Sequence, residues 1–334
     1  MLKTHRNYLF TIGALLSVAL SIAFFLFSKG ANHIADTRQR YTYEFLKIKQ
    51  NILQFKNGTR RVIVLSGSNA FYGFRANLFE KITGIPTINM AVQGSLGVNY
   101  MLYYVKPFLH RGDILILPIE YHVLFSKSVN NFVVTSVSYG FGLDYFKSLK
   151  LPDKIEYMRV FNKEHFIDSL MRGLGYRNSY KDLPLLAECI NENGDMCCNK
   201  SNERIKKGLH KLLTPYREKT QRFIKTSGPL PHYIALDILV DFFGWAKKNG
   251  VIVIGTYPNT VDIATDRKIM EYVRNWYIQH NQIFIGEESE SIFPESMMYD
   301  TIYHLNNKGA KLRTTLFAKR FCAETNYCEH PRRS

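Results

Sequence analysis

The chain opens on an uncharged apolar run, YLFTIGALLSVALSIAFFLFS, from Tyr8 to Ser28. At 1.5 Å rise per residue, about 20 apolar residues span the hydrocarbon core of a bilayer. No face of the run is polar, which argues against a buried helix of a soluble protein. A cleavable signal peptide is the competing reading. Its apolar region usually runs only about 7–15 residues before a small-x-small site, whereas here a longer run is followed by KGANHIAD. The expectation is a retained transmembrane helix, with Lys3 and Arg6 ahead of it favouring a cytoplasmic N-terminus.

Beyond the apolar run the pattern changes period. Ile34 to Phe55 is polar with recurring apolar positions and predicts a helix leading away from the membrane. Val62–Leu65, Pro86–Met90, Asp113–Leu117, Val251–Ile254 and Ile283–Ile285 are short apolar runs and predict strands, the longer ones buried on both faces. Between them, Phe74–Ile82, Asn99–Leu109, the stretch from Pro231 to a glycine cap at Gly250, Val261–Asn281 and Asn306–Asn326 read as helices. Strands alternating with helices predict an α/β fold with a central parallel sheet. From Tyr121 to Gly228 this rhythm is lost. The expected organisation is an N-terminal anchor over residues 1–30, a helical connector over 31–60, and an α/β domain over 61–334 with an insertion at about 122–228.

Composition adds surroundings rather than fold. The chain has 334 residues, 46% hydrophobic, 14% aromatic and 22% charged, enough for a sizeable core and against wholesale disorder. Its formal net charge of +16 favours anionic partners. Eight Lys or Arg against two acids fall between Glu203 and Lys225, a patch for head groups or an anionic polymer, or equally a solvated helix face. Zinc-finger spacing, RNP-like motifs and a P-loop are missing, so nucleic acid has no motif behind it.

Five cysteines fit an exported domain. Their arithmetic suggests two local disulfides with one thiol over: Cys322 with Cys328, and Cys189 with Cys197 or Cys198. No histidine stands at metal-ligand spacing from them, so no metal is expected. Reduced, unpaired cysteines are the plain alternative.

In a parallel α/β sheet, sites form at the carboxyl ends of the strands. Four features fall there. Ser66-Gly67-Ser68-Asn69 follows the first strand and can expose a serine hydroxyl beside its own N–H. NMAVQGSLG, Asn89 to Gly97, places Gly94 where a backbone N–H can approach an oxyanion. ILPIEY ends in Glu120 and Tyr121, an acid that can orient a neighbour, bind substrate or only pair with a core base. YDTIYHLNNKGA carries Asp300 four residues before His304. A serine hydroxyl needs a base within reach, and the base needs an acceptor on its other nitrogen. Each feature alone is more often structural; their order gives them weight.

That order, with GSNAFYG, INMAVQGSLG, GDILILPIEY, TYPN and DTIYHLNNKGA, resembles the SGNH (GDSL-like) hydrolase superfamily. Within it, the blocks look like a bacterial membrane-anchored branch related to periplasmic proteins of polysaccharide O-acetylation. They cover roughly Arg61–Tyr121 and Gly250–Phe321. The resemblance implies a flavodoxin-like three-layer sandwich. It implies Ser68 as nucleophile, His304 as general base, Asp300 as its orienter, and the N–H groups of Ser68 and Gly94 as oxyanion donors. The family's third block usually adds an asparagine. Here PIEY stands in its place, leaving Asn99 or Asn69 to substitute and Asn69 and Glu120 to meet substrate. Losing one oxyanion donor lowers rate about a hundredfold or more, so the departure puts efficient hydrolysis in doubt.

Two functions follow. One is an inner-membrane, single-pass serine esterase or O-acetyltransferase working outside the cytoplasm on an acylated or anionic surface glycan. It needs no cofactor, and a multi-spanning acyltransferase is an implied partner. The other is a non-catalytic SGNH-like module that binds glycan or scaffolds an envelope complex.

Overall fold

The short apolar runs become the strands of one parallel sheet. The computed structural model describes all residues except 1, 39, 57–59, 132, 136, 138–143, 161–166, 168–169, 172, 176–188, 200–231, 263–266 and 329–334. The basic stretch from Glu203 to Lys225 therefore lies outside the described residues. Strands β1 (Val62–Val64), β2 (Thr87–Asn89), β3 (Ile114–Leu117), β4 (Ile252–Gly255), β5 (Thr260–Val261), β6 (Ile283–Phe284) and β7 (Ile292–Phe293) form two sheets. The larger has the order β2-β1-β3-β4-β6, and all its pairs are parallel. The smaller pairs β5 with β7, also parallel.

β1, β2 and β3 are fully buried along their length, as expected for strands covered on both faces. Their register sets Val64 beside Asn89 on one side and beside Ile116 on the other. The chain leaves β1 toward β2 in one direction and reaches β3 in the other. The gap between the carboxyl ends of β1 and β3 is thus a topological switch point, the crevice where open α/β sheets take ligands.

Helices fill the connections. They are α1 (Leu2–Arg38), α2 (Arg40–Phe55), α3 (Ser68–Gly73), α4 (Ala76–Thr83), α5 (Gly97–Val105), α6 (Tyr121–Leu124), α7 (Asp144–Ser148), α8 (Leu151–Val160), α9 (Ile234–Asn249), α10 (Arg267–Gln279) and α11 (Asn307–Glu324). Gly250 ends α9 in the left-handed region, φ 68°, as its sequence position predicts. The helix expected over Val261–Asn281 starts later. Val261 instead pairs with Phe293 in the small sheet, because its N–H and that of Thr260 are taken by carbonyls of Ile302 and Ser291.

Contacts divide the chain into two compact units, Met1–Tyr43 with Asn130–Leu185, and Glu44–Val129 with Leu186–Ser334. In the first, α1 carries the apolar run, and Phe10–Gly30 is long and apolar enough to cross a membrane. The second holds both sheets and both disulfides. Cys322 joins Cys328 at the end of α11. Cys189 joins Cys198, not Cys197. The reason is local pairing. Ile190 and Met196 form an antiparallel bridge, and the Cys197 N–H donates to the Cys189 carbonyl. Neighbours on extended backbone point to opposite sides, so Cys198 turns to its partner and Cys197 is left exposed.

Two buried ionic clusters tie the second unit together. Arg61, just before β1, meets Asp113, just before β3, at 2.6 Å with both side chains 2% exposed. Its remaining donors reach the carbonyls of Leu53, Lys56 and Phe108. At the other end of the strands, Lys49 of α2 donates to the carbonyls of Asn89, Ala91 and Gly194. Burial pulls its pKa down to about 7, against a smaller upward pull from Asp195. The Asp195 carboxyl is pushed up by its own burial while it accepts N–H groups from Ala76 and Asn77.

Candidate functional site

Ser68 stands at the start of α3, two residues past Ser66 and half-buried among fully buried neighbours. The turn before it is held by Glu120. That carboxylate comes from the carboxyl end of β3 and is itself fully buried. It accepts the N–H of Gly67 at 3.1 Å and that of Asn69 at 2.9 Å, the two on either side of Ser68. The Ser66 hydroxyl donates to the Pro118 carbonyl, and the Asn69 amide to Ser66 Oγ and Pro118. Glu120 and the amide NH2 of Asn69 therefore shape the Ser68 turn across the β1–β3 crevice, whereas Asn69 Oδ1 is buried with no hydrogen-bond partner among the described residues. Among the described residues neither the N–H nor the hydroxyl of Ser68 has a hydrogen-bond partner.

Gly67 is where the second loop arrives. A β-carbon on it would overlap the Cα and N of Gly94 and stand 2.5 Å from Glu120 Oε1. Gly94 opens a short 3-10 turn, Gly94–Leu96, and brings its N–H alongside the turn that presents Ser68. Lys49 braces this loop from behind through the carbonyls of Asn89 and Ala91. Asn99 lies one helical turn into the chain beyond, in α5, half-buried.

The Asp–His pair comes from the loop ahead of α11. That loop is closed by the Tyr299 N–H to the His304 carbonyl at 2.7 Å and by an antiparallel bridge between Met298 and Leu305. Asn306 then caps α11, accepting from the Gly309 N–H and donating to the Ser296 and Met298 carbonyls. The closure folds two side chains four residues apart onto each other, and His304 Nδ1 meets Asp300 Oδ1 at 2.5 Å. The histidine side chain is 13% exposed and the aspartate 44%.

Tyr72 links this loop to α3. Its ring stacks on His304 at 4.3 Å between centroids, and on Tyr299 at 5.5 Å. Tyr72 is four residues after Ser68 on the same short helix, and residues so spaced share a face, about 5–6 Å apart at Cβ. The histidine thus lies over the helix face that Ser68 begins. A hydrogen bond between Ser68 and His304 is not formed. Asn199 fastens the two parts, donating to the carbonyls of Tyr72 and Leu305. Asn259 donates to the Tyr303 carbonyl, and its amide oxygen sits where a β-carbon on Gly73 would go.

Tyr72 and Asn259 stand in the GSNAFYG and TYPN blocks but, like Asn199 and His122, have no sequence pattern that assigns them a role. His122 is exposed on α6, its ring 5.7 Å from Tyr303 and its Nε2 beside Gly94. Only its position two residues after Glu120 signals it in the sequence. Burial raises the Tyr299 hydroxyl pKa, with a further upward push from Asp300. The arrangement gathers a half-buried serine, an oriented imidazole and two glycine-lined backbone turns at the carboxyl ends of β1 and β2. No family model and no curated protein matches the chain.

Proposed function

We propose that this chain is a membrane-anchored SGNH-like serine esterase or O-acyltransferase, with Ser68 as nucleophile, His304 as general base and Asp300 as the group that orients it. The observation that carries the reading is the His304–Asp300 hydrogen bond, on an imidazole stacked over the α3 face that Ser68 opens. A carboxylate on Nδ1 leaves Nε2 as the nitrogen that accepts a proton. The sheet order β2-β1-β3-β4-β6 is that of flavodoxin-like sheets, and supports the three-layer SGNH sandwich as the finer fold.

The chemistry follows from these positions. Ser68 Oγ forms a bond to the ester carbonyl carbon as its proton passes to His304 Nε2. The N–H groups of Ser68 and Gly94 are the donors nearest the oxyanion. Collapse expels the alcohol, which leaves with the proton from His304, and an acyl group stays on Ser68. Water or a glycan hydroxyl then gives its proton to His304 and takes the acyl group, and as the Ser68–acyl bond breaks His304 returns that proton to Ser68 Oγ. Glu120 stands where the resemblance calls for an asparagine, and it is engaged with the turn. With Glu120 and the Asn69 amide NH2 both engaged, this reading counts on the backbone N–H groups of Ser68 and Gly94 without the family's third-block asparagine, which favours slow turnover or transfer over fast hydrolysis. The apolar helix and the disulfides fit a domain on the oxidising side of a bacterial inner membrane, facing acylated or anionic glycan, with a multi-spanning acyltransferase as acyl source.

A second reading rests on the unformed Ser68–His304 bond: a non-catalytic module that holds glycan or scaffolds an envelope complex. A fluorophosphonate probe separates them. The wild type is expected to label at Ser68, and Ser68→Ala to lose both label and ester turnover. A wild type that stays unlabelled beside a labelled serine esterase control favours the module.

A further inference from the structure

α8 has its polarity reversed for a water-facing helix. Tyr157 is its buried residue, with its hydroxyl donating to the Thr135 carbonyl and its ring 5.2 Å from Phe146. The outward side carries Leu151, Ile155 and Met158, at i, i+4 and i+7. Ile167, Met171 and Leu174 repeat that spacing further along. All six are 40–71% exposed. Single exposed apolar residues are ordinary on a soluble surface, but repeated rows at helical spacing mark an interaction face.

The neighbour of that face says what covers it. Gly173, between Met171 and Leu174, lies against α1 so closely that a β-carbon would overlap the Leu26 carbonyl. Leu26 is four residues from the end of the Phe10–Gly30 span. At 1.5 Å per residue, that is about 6 Å inside the span's end. Interfacial helices lie about 5–10 Å into the boundary between head groups and acyl chains. Lys150 and Arg159, at the two ends of α8, are exposed, whereas Asp153 and Glu156 are half-buried. Cations at the rim and apolar side chains outward suit an anionic lipid surface.

We propose that α8 and the stretch bearing Ile167, Met171 and Leu174 lie in the plane of the membrane, beside the N-terminal span, with these apolar side chains in the lipid. The occupant is bilayer lipid, reached by continuity with the span on which Gly173 rests. The face is independent of Ser68 and of the acyl chemistry.

The test uses the full chain with Cys197→Ser, so that one added thiol is the reactive one. Met158→Cys, Met171→Cys and, as a control, Lys311→Cys on exposed α11 are each labelled with an environment-sensitive nitrobenzoxadiazole dye. Each is then placed, one chain per disc, in nanodiscs of phosphatidylethanolamine and phosphatidylglycerol, with or without brominated acyl chains. The expected result is blue-shifted emission at 158 and 171 that brominated lipid quenches, and water-like, unquenched emission at 311. Water-like emission at both 158 and 171 overturns the proposal. So does blue-shifted emission that brominated lipid leaves unchanged, which would mean a protein cover. Because the altered positions are exposed, the variants are expected to keep the wild-type circular dichroism.

Discussion

At Gly67 a single methyl group has a large foreseeable effect. The atoms it would meet are the Gly94 backbone and Glu120 Oε1, and backbone does not swing aside like a side chain. Gly67→Ala is expected to destabilise by about 1–3 kcal/mol, the usual range for forcing a group into a packed site. It should also reduce probe labelling at Ser68 by displacing the Gly94 loop. Denaturant unfolding and labelling of the same preparation check both; wild-type labelling in the variant would show that the loop contact is unimportant. Glu120 works at the same scale. Glu120→Ala leaves the N–H groups of Gly67 and Asn69 without their acceptor, and a buried unpaired donor costs about 1–3 kcal/mol. The matched outcome is lowered stability with labelling impaired more than stability alone explains, because the lost bonds flank Ser68.

At the scale of elements, α2 is fastened to the ends of β2 and α4 through Lys49 and Asp195. The Lys49 pKa falls from 10.5 unfolded to about 7 folded. Across that window the unfolded chain holds a proton that the folded chain has released, so this group makes stability rise with pH between about 7 and 10.5. Thermal unfolding of the detergent-solubilised chain at pH 7 and pH 9, beside Lys49→Met, tests it. The wild type should gain relative to the variant at the higher pH; parallel changes would show that Lys49 keeps its proton. The strand runs were legible because a strand buried on both faces reads as continuous apolar sequence, and β1 and β3 do so. The two-residue β6 was legible from the apolar run Ile283–Ile285, whereas β5 and β7 were not read as strands, and Val261 read as the start of a helix.

For the whole molecule, the apolar span and the oxidised cysteines make two checks. The full chain should resist extraction by alkaline carbonate, and a chain lacking residues 2–30 should be extracted. Release of the full chain, or an N-terminus cleaved after residue 28, would support the signal-peptide reading. Under denaturing, non-reducing conditions a maleimide should count one thiol per chain, at Cys197, and five after reduction.

The apolar span, the α/β alternation and the four-residue spacing of Asp300 and His304 are all legible in the chain before it folds, because each is written in a local period or a short spacing. The rest came only with long-range packing. That packing set the β2-β1-β3-β4-β6 order, which opens the crevice between β1 and β3. Among the roles open to Glu120 in the sequence, it set the one that orients neighbours, as the acceptor that shapes the Ser68 turn. It laid Tyr72 beneath His304 and chose Cys198 over Cys197. These contacts join residues far apart in the chain or on opposite sides of the backbone, and no local period records which of them meet. The same holds for Gly173 on Leu26, where a glycine without sequence context became the point at which a distant segment reaches the span.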